Sequence, residues 1–373
     1  MGIKQEWETV TGFGLRVLQN LQDKDKNMLV SPVSIFNALA ITANGAKGET
    51  LAQFESVLGA SVKKCNSYIK TFNNILPSGD RYRLANANSI WIDERKSFKT
   101  EPGFIKKIQD LYGASIFISK FSKKTASEIN NWVNQNTDGM VTEIIKEVPD
   151  NVRMYLINAL AFDAGWQDTY YKESVKDGIF KKEDGTKQEV SFMYSKEGIY
   201  LEDKNTTGFI KYYADFKYAF IALLPDKRTS MEEYIKEFNT ESFKNLIKNK
   251  RMARVNTAVP KFKSGYMACL KKTLKQMGLT KAFDYVMADF TGIGSTLNNN
   301  LYIDNVLHKT FIEVCEKGTR AGVAAGVVMA VRSASVHKEV KTVYLDRPFI
   351  YIIADCSTWL PLFAGVMHEI NLV

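Results

Sequence analysis

Cysteine and histidine are scarce, with four Cys and three His in 373 residues. Cys65, Cys269, Cys315 and Cys356 stand apart, with no Cys-x-x-Cys pair, so neither a zinc spacing nor a disulfide framework is present. Buried thiols are the expectation. His308, His337 and His368 form no His-Glu-x-x-His pattern, and no metal or cofactor is expected. Gly-x-Ser-x-Gly and the phosphate-cradling Gly-x-x-x-x-Gly-Lys-Ser/Thr are missing too, which argues against an enzyme, although a triad assembled in space leaves no sequence trace. No run approaches the ~18 apolar residues of a membrane span. The N-terminus shows no basic-then-apolar leader. A secreted or cell-surface home with the leader missing from this chain is the expectation, and a cytoplasmic one stays open.

What is present is an ordinary globular composition: 45% hydrophobic, 24% charged and a net charge of +9. The positive balance permits weak polyanion binding without requiring it. The densest basic stretch, Lys244 to Arg254, lacks interleaved aromatic residues and reads as a solvated helical face, so no nucleic-acid partner is expected. Length alone suggests two or three domains. There is no repeat, linker or composition break, and a single domain over 1–373 is the better reading.

Apolar residues at three-to-four spacing from Trp7 to Leu21 predict a helix, and Ser31-Pro32 supplies a cap and first-turn proline for a second. A third runs through Leu51, Phe54 and Leu58 to Gly59. Others cover Phe104 to Tyr112 and Leu270 to Met277. Strands are predicted at Leu84–Ile92, Met154–Phe162, Ala219–Leu224, Arg254–Phe262, Thr310–Val314, Phe349–Ala354 and Leu362–Met367. Helices and strands interleave without a βαβ rhythm, which indicates α+β.

The most unusual segment is Gly318 to Ser335, GTRAGVAAGVVMAVRSAS. It has no proline and no acidic residue. Period-two alternation places Thr319, Ala321, Val323, Ala325, Val327 and Met329, all small or apolar, on one face of a strand. Its glycines and alanines suit a segment able to leave a sheet and to join one.

With that segment in view, the sequence resembles the serpin family of protease inhibitors over nearly its whole length. Asn27 to Ser34, NMLVSPVS, is similar to the family's Asn-x-x-x-Ser-Pro-x-Ser signature. Asn158 to Trp166, Val259 to Phe262, Ala288 to Ile293, His308-Lys309, Glu316 to Thr319 and Arg347 to Phe349 match further motifs in the family's order. The resemblance implies three β-sheets, roughly eight or nine helices and an exposed reactive-centre loop at about 318–340. It implies a hinge at Glu316, Gly318, Thr319, Ala321, Val323 and Ala325. Ser31, Ser34, Asn158 and His308 correspond to the family's shutter beneath the opening sheet. Trp166 and a Lys261–Glu316 ion pair correspond to the breach where insertion begins.

The family's spacing puts the reactive bond sixteen residues beyond Glu316, between Arg332 and Ser333. Arginine there implies a trypsin-like serine protease as partner, captured covalently as an acyl-enzyme by a monomeric inhibitor. After cleavage about 14 residues at ~3.3 Å each would form a strand of roughly 46 Å, with Thr319 the first inward residue to be buried. Two departures stand out. Arg320 occupies a position often acidic in the family, and the stretch from Ser333 to Asp346 is long. A cut at Ala330, Val331 or within Ser333 to Val336, suited to elastase-like enzymes, and a non-inhibitory binding or chaperone role remain the alternatives.

Overall fold

The computed structural model describes residues 5–21, 26–75, 79–94, 98–149, 152–295, 301–319 and 339–371. Among these residues are nine α-helices and three sheets, an α+β architecture as expected. The six-stranded sheet is ordered Phe262–Cys269 (β11), Asn305–Cys315 (β13), Gly318–Thr319 (β14), Met154–Gly165 (β5), Tyr82–Asp93 (β2) and Ser115–Ser119 (β4). The nine-stranded sheet runs Met28–Val30 (β1), Pro361–Met367 (β17), Phe349–Asp355 (β16), Tyr218–Pro225 (β9), Thr206–Tyr212 (β8), Lys187–Glu202 (β7), Arg251–Pro260 (β10) and Val340–Tyr344 (β15). Val175–Lys181 (β6) also pairs with β7. Lys99–Thr100 (β3) and Gly294–Ser295 (β12) form the third sheet.

Helices Gln5–Asn20 (α1) and Pro32–Ala43 (α2) open the chain. Every residue of α2 is buried, because it packs against β17 of one sheet and β5 and β2 of the other. A helix with no polar face must be enclosed on all sides. Its start follows the sequence: the Ser31 side chain accepts from the Ser34 amide, and Pro32 takes the first turn. Strands β9, β16 and β17 are buried along their whole lengths, as continuous apolar runs require.

Three expectations need correction. The run Arg254–Phe262 is not one strand. Pro260 cannot donate to a ladder, and at Lys261, whose amide bonds to Ser191 O, the chain leaves β10 and crosses to β11 in the other sheet. The thiols are free but not uniformly buried: Cys65 is, Cys315 and Cys356 are partly exposed, and Cys269 is exposed. Burial alternates along β11, and Cys269 falls on its outward face. The basic stretch from Lys244 is helical only to Lys248, after which Arg251 begins β10.

Gly365 in β17 lies opposite Tyr351 in β16, and a Cβ there would sit 2.2 Å from the tyrosine ring. Tyr351 is itself fully buried and has nowhere to move. Gly365→Ala is therefore expected to destabilise the fold by about 1–3 kcal/mol, read as a lowered urea midpoint. An unchanged midpoint would contradict the packing of these two strands.

Candidate functional site at the centre and top of the six-stranded sheet

The site is built on two neighbouring parallel strands. From Asn305↔Tyr155 to Phe311↔Ala161, β13 and β5 pair directly. Beyond this stretch the two-residue strand β14 lies between them, with Thr319 opposite Val314 on one side and Ala164 on the other. Gly318 faces Gly165, and a Cβ on Gly318 would lie 2.1 Å from Ala164 O. Only a residue without a side chain fits so close to that carbonyl. The sequence reading had Thr319 become buried when a loop enters the sheet. The structure corrects this, since Gly318 and Thr319 are already in place and Thr319 is fully buried.

Around this wedge the top of the sheet is held by polar contacts. Trp166 donates from Nε1 to Cys315 O at 2.9 Å, and its backbone amide donates to Lys317 O at 2.9 Å. The Tyr170 amide donates to Glu316 O at 3.1 Å. Lys261 Nζ meets Glu316 Oε1 at 2.8 Å across the sheet corner. Partial burial disfavours ionised Glu316, but the hydrogen bond and charge of Lys261 outweigh it and hold the carboxyl below its usual range. Trp166 stacks on Tyr213, with ring centroids 4.3 Å apart, and the Tyr213 hydroxyl meets Thr319 Oγ1 at 2.5 Å. Burial drives the Tyr213 phenol well above its ordinary pKa, so it stays neutral and able to share that bond.

At the centre of the sheet lies a row of polar side chains. Asn88, Asn158 and His308 are neighbours on β2, β5 and β13. Asn158 donates from Nδ2 to Asn88 Oδ1 at 2.5 Å and to Ser34 O at 2.9 Å. His308 Nε2 accepts the Ser31 amide at 3.1 Å, which places the ring proton on Nδ1, and Nδ1 donates to Asn158 Oδ1 at 2.7 Å. Burial lowers the His308 pKa from 6.5 to about 3. Both ring nitrogens are used by the neutral form. A second proton would evict the Ser31 amide.

Ser31, Ser34, Asn158 and His308 thus meet in one cluster, while Trp166, Lys261, Glu316, Gly318 and Thr319 meet in another further up the same two strands. The predicted positions Ala321, Val323, Ala325, Arg332 and Ser333 lie outside the described residues, as do Arg320 and His337. Sequence reasoning missed Asn88, Tyr170, Lys211 and Tyr213. Asn88 carried a weak signal, a polar residue inside a predicted strand. The other three become partners only through the fold.

The family model described as Serpin (serine protease inhibitor) matches residues 8–370. The chain belongs to the serpin family. It is 30% identical over 370 residues to Serpin B6 of Pongo abelii, covering 95% of this chain and 96% of that protein. It is 30% identical to the leukocyte elastase inhibitor of Xenopus laevis, covering 93% of this chain and 94% of that one. The structure of the thermophilic serpin tengpin in its native state superposes with a TM-score of 0.93 at 42% identity, covering 99% of this chain and 96% of that chain. Tengpin in its latent state gives 0.85 at 39% identity and full coverage of both. No helix among the described residues is long and apolar enough to cross a membrane.

The His308 environment sets a pH dependence. Because the folded pKa is depressed to about 3 from 6.5, the unfolded chain binds the proton first as pH falls. Stability from this residue is complete above about 6.5 and is lost progressively toward about 3. His308→Gln removes the titration. Urea midpoints measured across this window should fall less with acid in the variant than in the parent. Parallel curves would contradict a buried neutral His308.

Proposed function

We propose that this chain inhibits trypsin-like serine proteases as a suicide substrate cut between Arg332 and Ser333. The observation that supports it best is the wedge at Gly318–Thr319, a strand insertion already begun at one end of a sheet whose next seven residue pairs are still closed. The attacking serine oxygen forms an ester with the Arg332 carbonyl carbon. The Arg332–Ser333 peptide bond breaks, and the Ser333 amine leaves with the proton. Cleavage releases the loop from its tether at β15, and zipping can continue.

The register of β14 fixes what that zipping would do. Each residue beyond Thr319 moves one step back along both flanking strands, so Ala325 would arrive between Asn158 and His308, and Met329 beside Met154 at the start of β5. Twelve positions from Gly318 to Met329 would then be filled, about 40 Å of strand. The alternate residues Thr319 to Met329 would face the side on which Thr319 is buried, and all are small or apolar. The bond from His308 to Asn158 must break as Ala325 enters, a net cost of about 1 kcal/mol. That is small beside a new ladder on both sides of the inserted strand. Carrying the acyl-enzyme that distance distorts the protease site. Loss of a single oxyanion-hole donor already slows such enzymes by about 10²–10³-fold.

A relative named leukocyte elastase inhibitor, together with Ala330 and Val331 beside the proposed bond, supports a second reading with the cut shifted toward small apolar residues.

Incubation with trypsin is expected to give a 1:1 complex that survives denaturing electrophoresis, and mass spectrometry of the released peptide should begin at Ser333. Arg332→Glu should abolish the complex, since an anion is repelled by an acidic specificity pocket. Complex formation undiminished in that variant would move the reactive bond elsewhere. A separate outcome is expected of Ala325→Arg. Its charge would have to enter the sheet between Asn158 and His308 without a partner, at a cost of several kcal/mol. The loop should still be cut at the parent's rate, with cleaved inhibitor replacing complex as the main product. A complex yield equal to the parent's would refute insertion in this register.

A further inference from the structure

The contacts around the hinge include a buried cation that the insertion chemistry has not used. Lys211 in β8 is 2% exposed. Its ammonium meets Glu197 Oε1 of β7 at 2.9 Å. It also lies over two ring faces, 4.4 Å from the centroid of Tyr170 and 5.4 Å from that of Trp166. These rings belong to the residues whose backbone amides hold Glu316 O and Lys317 O. Two residues along the chain, Tyr213 stacks on Trp166 and reaches Thr319. One stretch of chain, Lys211 to Tyr213, therefore grips Trp166 through a cation and an aromatic face, and grips the hinge through a hydroxyl.

Glu197 is fixed in turn. Ser195 donates to Glu197 Oε1 at 2.6 Å, and the Ser195 hydroxyl meets that of Thr257 in β10 at 2.8 Å. Thr257 pairs in register with Val343 of β15, where the chain resumes after the loop. The connected groups Thr257, Ser195, Glu197, Lys211, Trp166, Tyr213 and Thr319 thus reach from β10, beside β15, to the hinge.

We propose that Lys211 is a positioning residue for the hinge: its buried ammonium, fixed by Glu197, clamps Trp166 and Tyr170 so that Gly318 and Thr319 are held in the sheet. A buried ammonium left without its carboxylate, or a carboxylate without its ammonium, is strongly disfavoured. The ion pair is therefore made or lost as a unit. Its consequence for inhibition rests on the insertion reading, whereas its effect on the hinge does not.

Hydrogen exchange followed by mass spectrometry separates the two. In Lys211→Met the amides of segment 316–319 should exchange at least about thirtyfold faster, the factor that corresponds to losing a desolvated cation–π contact. Those of β16 should be unchanged. Lys211→Arg should restore protection, because the pair borders a cavity of about 640 Å³ with room for the longer guanidinium. If Lys211→Met fails to fold, Tyr170→Leu, which removes the nearer ring face and leaves the ion pair, decides instead and should show the same local gain. Equal acceleration in 316–319 and in β16, or none in either, would overturn the proposal. Trypsin complex formation by the parent is scored separately, so a parent that forms no complex defeats the inhibitory reading and leaves the exchange result standing. Where the parent does form complex, Lys211→Met should raise the cleaved-to-complexed ratio several-fold over the parent.

Discussion

The structure depends on the pairing of two parallel strands, β5 and β13, which are zipped from Asn305 to Phe311 and held apart above that point by Gly318 and Thr319. Parallel pairs are somewhat less stable per residue than antiparallel ones, and here one pair is asked to stay closed at one end and open at the other. The wedge pairs with Val314 and Cys315 of β13 on one side and with Ala164 and Gly165 of β5 on the other.

That requirement explains why polar residues stand where apolar ones would pack more simply. A core of leucines between α2 and the sheet would resist separation through buried area alone. The row Asn88, Asn158 and His308 instead ties the strands with bonds that are fully satisfied when closed and individually weak. Its link to the start of α2 runs through the Ser31 amide and the Ser34 carbonyl, so the enclosed helix and the sheet share one polar seam. A protonated His308 has no place in that seam, and burial keeps it neutral.

At the top of the sheet the logic differs. Trp166, Tyr170 and Tyr213 are large rigid rings: Trp166 and Tyr170 direct hydrogen bonds to Cys315, Glu316 and Lys317, and Tyr213 reaches Thr319. The Lys261–Glu316 pair sits where the chain crosses between sheets at Pro260. Partly exposed, it contributes at most about 1 kcal/mol to stability, and its geometric role in tying that corner to the turn outweighs its energy.

Much of this was legible in the sequence. The N-terminal cap of α2 and the apolar strands at 219–224 and 349–354 follow from local rules of burial and side-chain direction. The ordered motifs identified the family, and the polar cluster under the sheet followed from them. What local rules could not supply was register. That Asn158 lies between Asn88 and His308, and that Thr319 is already seated between Val314 and Ala164, is decided by which strands, most of them far apart in the chain, come to be neighbours. The partners Lys211, Glu197 and Tyr213 were silent for the same reason, since each is unremarkable until β7, β8 and the residue that follows β8 are laid beside Trp166. The sequence by itself determined which face of each segment would be buried, because that depends on neighbours two to four positions away. The tertiary structure alone decided which buried faces would meet, because that depends on long-range pairing with no local signature.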